Sequence, residues 1–374
     1  MPTVVVVQRR LPHYRVSFFS QLRAELRNRG IRLRLVYGEP TVAEKKKNDS
    51  GFLDWANQIP TRYLLDGRLC WLQLPSAMRR ADLLVLTAEN KLLSNLPIQY
   101  FSRHQKVVLW GHGANLQGDP NSIRERFKKL VARRADWWFA YTGLSLPLIS
   151  RTGFPADRVS VLQNSIDTAE LADLHAAVTP RTQDCIRTKY GLHTGPIGAF
   201  IGSLYADKRI DFLLEASLRV RARIPDFQLL IVGDGPLRPQ VDQFCERHPW
   251  AHALGPQLGA DKVGALSLAR VILNPGLVGL GILDSFVTGT PMVTTDCGLH
   301  SPEIAYLESG INGLMSSNSI DDYVAHISRL LRDDNEWDRL REGCKASSRL
   351  YTLENMVKNF SDGIESCLAA PKHR

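Results

Sequence analysis

Short, unbroken apolar runs alternate along this chain with stretches whose apolar residues recur every three or four positions, and each change of period marks an element. Residues 3–7 (TVVVV) form the first such run, the pattern of a strand buried on both faces of a parallel sheet. From Val16 the period changes: Phe18, Phe19, Leu22 and Leu26 fall at helical spacing, Gly30 ends the helix, and residues 31–37 are apolar again. Strand, loop, helix, strand is how a doubly wound α/β domain opens. Residues 83–87, 106–110 and 137–141 predict further strands, and 124–134 a basic helix. Residues 40–60 are polar and charged, with Lys45, Lys46 and Lys47 in a run, and predict a surface loop, either mobile or facing lipid. Residues 169–195 carry little pattern and predict a connection. A second series then starts with strands at 197–201 and 227–232 and ends in a helix over 353–368.

The most informative stretch is residues 271–298, VILNPGLVGLGILDSFVTGTPMVTTDCG. An apolar strand ends near Asn274, and a Pro-Gly turn follows. A segment with Gly276, Gly279 and Gly281 leads into a helix over 282–288 that Gly289 stops, and Pro291 opens another strand. Strand, glycine loop, helix aims free backbone N–H groups at an anion. Asp284, one turn into the helix, is placed to accept hydrogen bonds from a vicinal diol such as a ribose. A βαβ unit whose glycines only permit close packing has the same local features.

This stretch resembles the donor-site signature of family 4 retaining glycosyltransferases, which have the GT-B fold. In that signature two glutamates stand eight residues apart. Asp284 matches the second, and Gly276, without a side chain, stands at the first. The resemblance is to a variant branch with Pro-Gly-x-Val-Gly-Leu, here Pro275 to Leu280, in which backbone amides (Gly279, Leu280, Gly281) take over part of the first glutamate's work.

Other segments carry the same resemblance. GSLYADKR, residues 202–209, resembles the family's Gly-Arg-Leu…Lys-Gly loop, whose Arg and Lys hold the donor diphosphate: Gly202 and Lys208 match, while Ser203 replaces the arginine and Arg209 the second glycine. Lys208 therefore becomes the candidate for stabilising the leaving diphosphate. Arg209 either supplies the missing charge or lies on the surface. GDGP, with Gly235, is a turn typical of the family, and Pro256 to Leu258 are implied to line the nucleobase. In WGHGANLQ, residues 110–117, His112 ends a strand between glycines and matches a family histidine that contacts the sugar or diphosphate. The basic, aromatic loop from Arg9 to Arg15 follows the first strand, and its Arg15 either touches a phosphate or is a solvated arginine. Glu303, Gly310 and Asn312-Gly313 resemble a segment read as structural, and Trp137 and Trp138 are read as packing residues.

Bulk properties narrow the partners. With 374 residues, 44% hydrophobic and 23% charged, the chain has the composition of a soluble globular protein long enough for two domains. No apolar run approaches the roughly 18 residues of a membrane helix, and the N-terminus lacks the order of a signal peptide. Six scattered cysteines suggest neither a metal site nor a disulfide framework, so a cytoplasmic location is expected. Charge is uneven: residues 1–168 hold 26 Lys and Arg against 13 Asp and Glu, a net of +13, and residues 169–374 hold 21 against 25, a net of −4. The basic half predicts an anionic lipid surface or a pyrophosphate-bearing acceptor rather than nucleic acid, for which no reader motif is present.

Together these readings predict an α/β protein of GT-B type, two Rossmann-like doubly wound domains facing across a cleft. The resemblance implies an acceptor domain over 1–168, a nucleotide-sugar domain over 196–350 and a C-terminal helix, 351–374, crossing back to the first. The expected activity is transfer of a sugar from a nucleotide diphospho-sugar, UDP favoured over GDP, to a saccharide or lipid-linked acceptor. Configuration would be retained and no metal or other cofactor required, with peripheral contact at the inner membrane face. His112, Lys208 and Asp284 are the expected catalytic residues. The alternative is a non-catalytic GT-B subunit that binds nucleotide sugar or glycan, which the uncharged Gly276 and Ser203 would suit. An epimerase or phosphorylase of the same fold would need further carboxylates or a cofactor lysine.

Overall fold

A computed structural model of the chain describes residues 1–45, 49–75, 78, 80–89, 91–102, 104–112 and 133–373. Lys46 and Lys47, residues 113–117 and most of the basic helix read at 124–134 lie outside them. The chain divides into two compact units, Met1–Asp167 with Leu353–Arg374, and Thr168–Thr352.

The first unit is built on a parallel sheet of β1 (Thr3–Gln8), β2 (Arg32–Gly38), β3 (Asn57–Ile59), β6 (Leu83–Thr87), β7 (Lys106–Trp110), β8 (Trp137–Ala140) and β9 (Val159–Val161), in the order β3-β2-β1-β6-β7-β8-β9. The unbroken apolar runs follow from burial on both faces. Val4 and Val6 pack with Phe18, Phe19, Leu22 and Trp110, while Val5 and Val7 point the other way, among Leu84, Leu86, Leu109 and Trp138. The helix Leu353–Ala369 lies in this unit against the helix Val16–Asn28. Its Phe360 ring stands 4.5 to 5.4 Å from the rings of Phe139, Trp110 and Phe18. An antiparallel hairpin of β4 (Thr61–Leu64) and β5 (Leu69–Leu72) stands apart from the sheet.

In the second unit β10 (Ile197–Ile201), β11 (Gln228–Val232), β12 (Ala251–Gly255), β13 (Val271–Leu273), β14 (Met292–Thr295) and β15 (Gly313–Ser316) form an all-parallel sheet ordered β12-β11-β10-β13-β14-β15. This is the Rossmann order, with its topological switch between β10 and β13, and such sheets bind ligands at the carboxyl ends of the switch strands.

Two segments depart from the expected connections. Residues 169–195 fold as helices Thr168–Ala176 and Pro180–Tyr190 and belong to the second unit. The second of these buries no residue, so it has no apolar stripe; a Thr179–Thr182 capping box with Pro180 at its first turn starts it instead. The stretch 40–60 contains a helical turn, Val42–Lys45, and the strand β3. Among the described residues, no helix is long and apolar enough to cross a membrane.

Candidate functional site

Two loops meet at the switch of the second sheet: Gly202 to Arg209 after β10, and Asn274 to Gly281 after β13. Lys208 closes the 3-10 turn Ala206–Lys208, is only 9% exposed, and donates from Nζ to the Leu277 carbonyl at 2.5 Å. In return Leu277 N–H donates to the Asp207 carbonyl at 2.8 Å. Between these bonds lies Gly276. A Cβ there would stand 2.3 Å from Asp207 O and 2.5 Å from the Lys208 carbonyl carbon, so no side chain fits. The position that would carry the first glutamate is thus filled by the lysine loop itself. Burial pushes the Lys208 ammonium down to about 8.

Arg209 enters the next helix with φ +54°, a left-handed conformation that costs a non-glycine residue about 1–2 kcal/mol. This explains why a glycine is the family's choice there. Here the guanidinium offsets the strain: its Nη1 lies within hydrogen-bond reach of Pro275 O (3.2 Å), Thr295 Oγ1 (2.9 Å) and Asn318 Oδ1 (2.7 Å), and the group sits over the Phe212 ring. Arg209 therefore ties the Pro-Gly turn to the end of β14.

Beyond the turn, the amides of Gly279, Leu280 and Gly281 have no acceptor among the described residues. They open the helix Gly281–Thr288, whose N-cap, Leu280, makes no side-chain cap bond, and a Cβ on Gly281 would meet open space. Free donors at a helix start form an anion site. Lys208 adds a cation to the same loop, since its Nζ bonds the carbonyl of Leu277, two residues before Gly279.

Asp284 sits in the first turn of the same helix, 6% exposed, and its Oδ1 accepts from Lys262 Nζ at 2.7 Å. Lys262 comes from the helix Gly259–Ser267. Nothing in its local sequence singles it out. A second residue without a sequence signal is His300, whose Nδ1 accepts the N–H of Val278 at 3.1 Å.

The remaining candidates fall elsewhere. Ser203 is exposed beside Gly202. Gly235 serves loop packing: a Cβ there would lie 2.5 Å from Leu204 O, and the GDG turn is held by Leu204 N–H on Asp234 O at 2.9 Å. Pro256 is exposed just after the edge strand β12, two strands from β10.

In the first unit, Arg15 is buried rather than solvated. It is 5% exposed, donates to Asn164 Oδ1 at 2.6 Å and lies over the Trp110, Tyr14 and Phe18 rings. Its neighbours in the loop are also engaged. Arg9 makes a bidentate pair with Glu44 and reaches Glu89 at 3.0 Å, and Arg10 pairs with both oxygens of Asp49. Burial opposes the charge of Glu44, but Arg9 and Thr41 outweigh it and hold its pKa at about 2. His112 follows β7, and its ring centroid lies 4.5 Å from that of Tyr141. Loss of surrounding water pushes the imidazole down to about 4, so it is neutral at pH 7.

Residues 195–333 match the family model described as glycosyl transferases group 1. Among curated proteins the chain is similar to alpha-D-kanosaminyltransferase of Streptomyces kanamyceticus, 26% identical over 138 residues, covering 36% of this chain and 33% of that protein. It is also similar to D-inositol 3-phosphate glycosyltransferase of Corynebacterium aurimucosum, 27% identical over 201 residues, 50% of this chain and 46% of that one. The chain thus spans between a third and a half of the length of these curated relatives. Among solved structures, Anabaena HepE in complex with UDP superposes with a TM-score of 0.73 at 15% identity, over 98% of this chain and all of that one. That likeness establishes the fold, two Rossmann-like domains of the GT-B class.

Proposed function

We propose that this chain is a glycosyltransferase that moves a sugar from a nucleotide diphospho-sugar, with UDP favoured, to a saccharide or lipid-linked acceptor with retention of configuration. The observation that carries the proposal is the pairing of a buried Lys208 ammonium with the acceptor-free amides of Gly279, Leu280 and Gly281 at the switch of a Rossmann sheet. A cation and oriented N–H groups in one loop suit a diphosphate whose charge grows as it leaves. In this reading Lys208 stabilises the departing diphosphate, Asp284, held in place by Lys262, accepts from the ribose hydroxyls, and neutral His112 orients the sugar by hydrogen bonding. The lysine and the amides would meet the diphosphate charge without a metal. The match to a glycosyltransferase family model and the complex of HepE with UDP favour the same class of donor.

A lipid-linked acceptor, met at an anionic membrane face, draws support from the β4–β5 hairpin. Arg62 and Trp71 are cross-strand partners and so share a face, with Leu64 on the same side; all three are exposed, as is Leu65 at the tip. Basic and aromatic residues side by side suit the headgroup region.

Binding of UDP, GDP and a panel of their sugars by calorimetry, followed by assays for sugar release and transfer, tests the proposal. A donor that binds and turns over is expected. Binding without any turnover would favour the non-catalytic subunit, a reading that rests on the absence of room for a glutamate at Gly276. Failure to bind any nucleotide sugar would overturn both.

A further inference from the structure

Val278, at the centre of the glycine loop, is gripped through both of its backbone groups by consecutive residues of the loop after β14. Its N–H donates to His300 Nδ1 at 3.1 Å, and its carbonyl accepts from Ser301 N–H at 2.9 Å. The other ring nitrogen of His300, Nε2, lies 2.7 Å from the Thr295 carbonyl. A carbonyl only accepts, so Nε2 must carry the proton. Nδ1 faces an N–H and must be bare. Geometry alone therefore specifies one tautomer of the neutral imidazole. An imidazolium would set N–H against N–H and break the grip on Val278.

We infer that His300 is a positioning residue that, through Val278, holds the Gly279–Gly281 amides in their anion-binding arrangement only while neutral, so that donor binding is gated by pH. The inference rests on the reading of those amides as the donor-diphosphate site. Charged and titratable groups face the ring from several elements. Cys297 Sγ is 3.7 Å from Nε2, Asp296 follows Thr295, and Lys208 and Arg209 approach from the loop after β10. Burial, the largest influence, lowers the imidazole's pKa. The Thr295 bond and Asp296 oppose it, while Lys208 and Arg209 add to the lowering. The sign follows. An exposed imidazole in an opened loop has a pKa near 6.5 and the gripped one a lower value, so the closed loop keeps its full advantage above about pH 6.5. It loses that advantage as pH falls from there toward the lower value, by at most about tenfold in population per pH unit.

The test compares wild type with His300→Asn and His300→Ala between pH 5 and 7.5. Asparagine keeps an oxygen that can accept from Val278 but does not titrate. UDP-glucose is the probe, because its diphosphate is a diester without the phosphate ionisation near pH 6 that UDP itself has. Calorimetry reads affinity, and hydrogen–deuterium exchange with mass spectrometry reads the amides of residues 276–283 in the unliganded protein. Wild type should lose UDP-glucose affinity severalfold between pH 6.5 and 5.5. Its loop exchange, measured against His300→Asn at the same pH, should rise over that interval. His300→Asn should bind with an affinity that stays level, and His300→Ala should exchange faster than wild type at pH 7.5. Equal pH profiles for wild type and His300→Asn in the exchange experiment would overturn the inference. If UDP-glucose fails to bind at pH 7.5, the donor reading falls, and the exchange profiles still decide whether His300 is the titrating grip.

Discussion

The Lys208 backbone occupies the space a side chain at Gly276 would need: a Cβ there would stand 2.7 Å from the Lys208 Cα. The lysine loop is consequently seated on the Pro-Gly turn, and its ammonium is delivered to the Leu277 carbonyl at the mouth of the glycine loop. Gly276→Ala should push these backbones apart. Overpacking of this kind costs about 1–3 kcal/mol, read as a lower midpoint in urea unfolding. Turnover should fall further than stability accounts for, because Lys208 moves with its backbone. A variant as stable as wild type, with unchanged kinetics, would show that the two loops yield freely.

Removing the ammonium tests the chemistry directly. Lys208→Ala should lower kcat/KM by about a hundredfold or more, on the order of 3 kcal/mol, while nucleotide binding weakens much less. Near wild-type turnover would end the assignment.

Burial of Lys208 also sets a pH dependence. With a pKa pushed down to about 8, the free protein loses this cation as pH rises through 8, whereas a solvated lysine would hold its proton beyond pH 10. UDP-glucose affinity should therefore decline between pH 7.5 and 9 in wild type. Lys208→Arg, whose guanidinium does not titrate in this range, should show no such decline. Parallel titration curves for the two proteins would place the dependence on another group.

Asp284 and Lys262 form one unit, 2.7 Å apart and mostly shielded from water. Asp284→Asn should cost roughly 1.5–3 kcal/mol of nucleotide affinity, because the charged acceptor is lost. Lys262→Met leaves the carboxylate without its partner and should also destabilise the fold. In a double-mutant cycle on stability the pair should couple by about 1–3 kcal/mol. Additive effects would mean that the lysine is incidental.

The hairpin face gives the membrane proposal a local target. Vesicles of anionic lipid should bind the protein at low ionic strength and release it steeply as salt rises, while neutral vesicles bind weakly throughout. Replacing Trp71 and Leu64 together by serine should weaken anionic-vesicle binding several-fold with no change in nucleotide affinity. Wild type that ignores anionic vesicles at low salt would point to a soluble acceptor.

Much of the fold was legible from the sequence because burial imposes local periodicity. Runs such as Leu83–Thr87, Lys106–Trp110 and Ile197–Ile201 are covered on both faces and are therefore apolar but for an end residue. Gly289 ends its helix at φ +62°, a conformation its residue type announces. Pro180–Tyr190 was not legible as a helix, since a segment with no buried side chain leaves no stripe to count, and only its capping residues mark it.

The sequence by itself thus determined the strands and helices that carry a buried stripe, the βαβ alternation, and the residue types available for chemistry. Tertiary structure alone decided how those residues are used. It joined Lys262 to Asp284 and His300 to Val278, each pair 22 residues apart with no periodic relation between its members. It turned Arg15 inward onto Trp110 and filled the space above Gly276 with the lysine loop. The physical reason is that periodicity records only whether a position is covered. What covers it depends on strand order, and here the placement of β13 beside β10 brings two distant loops to one edge.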